Sequence, residues 1–90
     1  MRAVITVVGH DKVGIIAEVS ACLAKNKINI LDISQTIMQG DIFTMIMLTD
    51  ISNSSVKFRE AADELEKLGT KLGVVIKMQH EEIFNSMHEI

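Results

Sequence analysis

The pattern of apolar and polar positions divides the chain into six regular segments and a tail. Ala3 to Val8 is short, uncharged and rich in β-branched residues, which predicts a strand. Gly9 to Val13 reads as a turn. Ile15, Ile16, Val19, Cys22 and Leu23 then recur at helical spacing, with Ala17, Ala21 and Ala24 adding helix propensity, so a helix is predicted from about Gly14 to about Lys25. Ile28 to Gln39 and Ile42 to Asp50 read as two strands joined by a hairpin at Gly40-Asp41. After the polar loop Ser52 to Ser55, residues Phe58, Ala61, Ala62, Leu65 and Leu68 form one stripe against a charged face, and a second helix is predicted from Val56 to about Leu68. Gly69 to Gly73 closes it, and Val74 to Gln79 is the last strand. In the tail, Ile83, Phe84, Met87 and Ile90 return at helical spacing behind Glu81 and Glu82, predicting a short third helix.

The order β-α-β-β-α-β predicts an α+β, ferredoxin-like sandwich: a four-stranded antiparallel sheet with both helices on one face, over residues 1–79, followed by a helical tail over residues 80–90. The second strand lies at an edge in this topology. It carries one charge, Asp32, and neither proline nor lysine, so it lacks the usual protection against pairing with another strand. The third strand is apolar on both sides, with Ile42, Ile46 and Leu48 alternating with Phe43, Met45 and Met47, where a sheet with one wet face should alternate apolar and polar. Either the tail covers these surfaces or a second chain does. A domain of 90 residues buries a small share of its surface and gains from a partner, so a homodimer is expected.

Composition narrows the function. At 48% hydrophobic and 23% charged residues the chain is globular. A net charge of -3, with no Trp, no Tyr and three Phe, argues against nucleic-acid binding, which needs basic patches or stacking platforms. RNA recognition on this topology needs aromatics on the central strands, and Phe43 is the only one there. One cysteine, Cys22, excludes an internal disulfide and fits a reducing compartment, and no long apolar segment is visible, so a cytoplasmic location without membrane contact is expected. His80, Glu81, Glu82, His88 and Glu89 gather in the tail, but two histidines eight apart do not share a helical face, and no metal is expected. His10 and Asp11 are neighbours without a third group to orient them, and the first strand-to-helix loop has no arginine to hold a phosphate, so neither a catalytic site nor a cofactor is expected.

What remains is the stretch "GHDKVGI", Gly9 to Ile15. A helix N-terminus presents unpaired N–H groups and partial positive charge, suited to a carboxylate. Gly14 would let a ligand approach these amides. Asp11 has two readings, a helix cap or an acceptor for an ammonium group. Asn29, at the start of the edge strand, both donates and accepts, and suits a zwitterion. The same three residues also read plainly as a cap, a packing glycine and a strand-start residue.

"VVGHDKVGIIAEVSACLAKNKINI", Val7 to Ile30, resembles the opening of an ACT domain: a strand, a turn ending in glycine before an aliphatic residue, a helix, and an Asn-Ile pair opening the second strand. The whole chain is similar to small stand-alone ACT-domain proteins of bacteria and archaea. The resemblance implies a dimeric regulator that binds a small molecule, usually an amino acid, between the first turn and the second strand, and acts on a partner protein. The implied ligand contacts are Asp11, Lys12, Val13, Gly14, Ile15, Asn29 and Ile30. Aspartate stands at residue 11, where some serine-binding members have asparagine, and Gly9 stands where some members have histidine. A protein–protein interaction module without a ligand is the alternative.

Overall fold

Seven elements follow one another in the computed structural model, which describes residues 1–10 and 13–88, the side chains of residues 87 and 88 excepted. They are β1 (Arg2–His10), α1 (Ile15–Lys25), β2 (Asn29–Met38), β3 (Ile42–Asp50), α2 (Phe58–Leu72), β4 (Val74–His80) and α3 (Glu81–His88). The strands form one antiparallel sheet in the order β2-β3-β1-β4, so β2 and β4 are the edges. This is the ferredoxin-like α+β sandwich the pattern predicts, with α3 appended.

Strand parity decides which residues meet the helices. Ile5, Val7, Phe43, Met45, Met47, Val74 and Ile76 share one face of the sheet and form a continuous core with Ile15, Val19 and Leu23 of α1 and Ala61 and Leu65 of α2. Burying an aliphatic side chain of this size contributes about 1.5–3 kcal/mol, so this layer is the main source of stability. Thr49 is the polar member of the face. It is fully buried, and its hydroxyl donates to the Ala3 carbonyl at 2.9 Å, so no hydrogen bond is lost.

Glycine explains two of the boundaries that differ from the sequence expectation. Gly9 lies inside β1, paired with Phe43 and Val74, rather than opening a turn. A Cβ there would stand 2.5 Å from Val74 Cγ1, so the residue is glycine to let β4 close against β1. Gly69 is likewise inside α2, which runs on to Leu72. A Cβ at Gly69 would stand 2.7 Å from the Val74 carbonyl oxygen, so glycine lets the helix sit down on β4. The helix ends one turn later at Gly73, in the left-handed conformation at φ 77°. At its other end Lys57 has no side-chain acceptor, and only the returning arm of a capping box forms: the Lys57 N–H donates to Glu60 Oε1 at 3.4 Å.

The opposite face of the sheet carries Val4, Val8, Ile42, Ile46, Leu48 and Val75. Val8, Ile42, Ile46 and Val75 are 38–58% exposed and Leu48 is half-buried, but Val4 is only 5% exposed. Arg2, two residues earlier on the same face, holds Glu81 of α3 through two hydrogen bonds of 2.9 and 2.7 Å. The tail helix therefore packs at this end of the sheet, where Phe84 is half-buried and Ile83 stays exposed. The rest of the predicted tail stripe, the Met87 side chain and Ile90, lies outside the described residues. No helix among the described residues is long and apolar enough to cross a membrane.

Candidate functional site

The turn leaving β1 and the start of β2 were the two halves of the expected site, and the sheet register fixes how they stand to one another. His10 pairs with Ile42 at one end of the sheet, while Asn29 pairs with Asp50, which pairs with Arg2 at the other. The eight residue steps from Arg2 to His10 span about 27 Å at ~3.4 Å each. Within one chain, Asn29 and the turn are at opposite ends.

At the turn end, Asp11 and Lys12 lie outside the described residues. Val13 is fully exposed at 102%. Gly14 is the N-cap of α1, with φ 94° and ψ -3°. A Cβ at Gly14 would meet nothing within 4 Å, so its glycine is explained by the left-handed backbone and not by crowding. The first helical hydrogen bond runs from the Glu18 N–H to the Gly14 carbonyl at 2.9 Å, and the N-cap glycine has no side chain to close the amides before it. Ile15 is buried in the core, so only its backbone faces the turn. His10 shares the open face of the sheet with Val8 by strand parity.

At the other end, Asn29 is exposed and Ile30 packs partly against the core. A register shift follows between Ile30 and Asp32, with Leu31 as the extra residue. The bulge puts Ile30, Ile33 and Ile37 on the helix-side face opposite Thr49, Met47 and Phe43, although their spacing is not a regular period of two. The helices do not reach this far. Leu31, Ile33, Ile37 and Met38 are all exposed, and β2 has one paired edge and one open edge over ten residues.

One polar cluster had no counterpart in the sequence reading. Glu64 of α2 accepts from Asn26 Nδ2 at 3.1 Å and from Cys22 Sγ at 3.3 Å, and pairs with Lys25. Asn26 is buried and its carbonyl accepts from the Ser55 N–H at 2.9 Å, so the cluster ties the end of α1 to α2 and to the loop before it. The Lys25 and Asn26 hydrogen bonds hold the Glu64 carboxyl below the usual carboxylate range. This stabilisation is present above the unfolded carboxylate pKa and is lost as pH falls through the folded one. Burial first, and the Glu64 carboxylate second, push the Cys22 thiol up to about 11. Cys22 is thus a poor nucleophile at neutral pH. The signal for the cluster, Cys22 and Asn26 at i and i+4, was legible only once α2 was known to lie across it.

An ACT domain model matches residues 2–79. The chain belongs to the ACT domain family. It is 64% identical over its full 90 residues, and over the whole of the other chain, to a UPF0237 protein of Clostridium acetobutylicum. Among solved structures it is similar to an ACT domain protein from Streptococcus pneumoniae, at 43% identity and a TM-score of 0.81 over 93% of each chain. It is also similar to a proposed glycine cleavage system transcriptional repressor, at 31% identity and a TM-score of 0.68, over 87% of this chain and 44% of that one. This ACT domain is thereby related to regulatory domains that bind amino acids or other small ligands. Among its described residues no three His, Cys, Asp or Glu gather into a metal-binding group.

Proposed function

We propose that this ACT domain is a non-enzymatic sensor, a homodimer that binds an amino acid or a related small metabolite between its protomers and passes the occupancy to a partner protein. The observation that carries the reading is the position of Asn29 relative to the turn. If two β2 strands pair antiparallel about a two-fold axis, the partner's Asn29 comes to the Met38 end of β2, which is the end that carries Gly14. A site split by the length of the sheet is then completed twice, once at each end of the joined strands. The open ten-residue edge of β2, with Leu31, Ile33, Ile37 and Met38 exposed along it, supports this pairing.

At each completed site the free amides opening α1 would take the ligand carboxylate, and the side chain of Asp11 the ammonium. Val13, the Ile15 backbone, Lys12 and Ile30 would frame it. A regulatory output is supported by the 31% identical relative, itself a proposed transcriptional repressor. The single free thiol, Cys22, suits a reducing compartment and supports a cytoplasmic location. A second reading, an interaction module without a ligand, draws on the exposed Val8, Ile42, Ile46 and Val75 of the open sheet face.

A thermal-shift panel of the twenty amino acids separates the two. A ligand at about 100 times its dissociation constant adds about 2.7 kcal/mol of stability. Asn29→Ala should abolish that shift while leaving the unliganded melting temperature in place. No shift with any amino acid at millimolar concentration would count for the interaction module.

A further inference from the structure

The two helices run antiparallel. α1 leaves the His10 end of the sheet and ends near Asn29, whereas α2 starts where Phe58 stacks on His80 and ends beside Val74, the neighbour of Gly9. Each helix carries a glutamate and, seven residues later, a lysine: Glu18 and Lys25 in α1, Glu64 and Lys71 in α2. Antiparallel packing sets these as two crossed pairs. One is closed, with Lys25 bound to Glu64. The other is open: the side chains of Glu18, Lys71 and, one turn before it, Lys67 have no ionic or hydrogen-bonded partner among the described residues. Between them lies a groove of about 400 Å³, bordered by all of these charges and floored by Ala21, Cys22 and Leu68. Small-molecule sites run from about 300 to 1,000 Å³.

We propose that this groove is a second ligand site, taking an α-amino acid with an acidic side chain. The class follows from the groups left unpaired. Glu18 offers one carboxylate to an ammonium. Lys67 and Lys71 offer two ammoniums to two carboxylates. Their net charge of 2 − 1 = +1 is matched by the single negative charge of such a ligand, and the methylenes of its side chain meet Leu68 and Ala21. Glu18 stands in the first turn of α1 and Lys71 in the last turn of α2, each where the helix dipole favours its charge, so neither needs the other as a partner. Glu64 is committed to Lys25, Asn26 and Cys22, and closes one end. The site lies within one protomer and does not rest on the interface reading.

The test is an amide chemical-shift titration of the full chain with glutamate and aspartate, with glutamine and asparagine as uncharged counterparts. Shifts should cluster at residues 18–25 and 64–71 and saturate at about tenfold lower concentration for the acids than for the amides. Glu18→Gln and Lys71→Met, both exposed and visible as folded in the same spectra, should each weaken binding about tenfold. Asn29→Ala should leave these shifts unchanged, which separates this site from the interface. The proposal is overturned by an absence of shifts in these two segments at millimolar ligand, by equal affinity for acids and amides, by shifts confined to residues 13–15 and 29–30, or by binding that survives the Glu18→Gln, Lys71→Met double variant.

Discussion

The sheet has two edges, and the chain treats them differently. β4 is gripped. Gly9 in β1 and Gly69 in α2 have both given up a side chain so that Val74 and Ile76, themselves buried, can be approached closely from strand and helix. β2 is left standing clear. It is longer, its residues from Leu31 to Met38 are all exposed, and no helix covers it beyond Ile30. Both strands are rich in β-branched residues, so strand propensity does not distinguish them. The difference lies in their neighbours. An edge embraced by its own chain is part of the fold, and an edge left open is a surface with a further use.

Three changes test that contrast. The largest effect should come from Ile76→Ala in the gripped edge, which removes a side chain only 4% exposed and should cost about 2–5 kcal/mol by thermal or denaturant unfolding. Gly69→Ala should follow, costing about 1–3 kcal/mol despite the better helix propensity of alanine, because the new methyl meets the Val74 carbonyl oxygen. A gain in melting temperature would mean that helix and strand are not in close contact. The smallest effect on unfolding should come from Ile37→Lys in the open edge, within about 0.5 kcal/mol for the isolated protomer. Its mass by light scattering should nevertheless fall from that of a dimer to that of a monomer. A dimer that withstands Ile37→Lys would move the interface away from β2.

Much of this was legible in the sequence. The six-element order, the hairpin at Gly40-Asp41 and the edge position of β2 followed from periodicity and turn residues, because each is a local signal repeated over several positions. Glycine was the weak point. Gly14, Gly40 and Gly73 adopt positive φ and mark ends, whereas Gly9 and Gly69 have ordinary backbones and make room. The letter is the same, and only the neighbouring strand tells the two uses apart. For the same reason the Cys22, Asn26 and Glu64 cluster was not foreseen: Glu64 is 38 or more residues along the chain from the other two. Asn29 was read as opening the second strand, where it stands, but its separation from the turn along the sheet depends on strand direction, which no local pattern records.

That separation has a consequence for dose. In the proposed dimer a lone protomer holds only half a binding site, so ligand and second protomer must raise each other's affinity by the same factor. The sensitivity of such a sensor would not be a fixed property of its sequence. It would rise as the cell makes more of the protein and fall on dilution, so that expression level sets the metabolite concentration to which it responds.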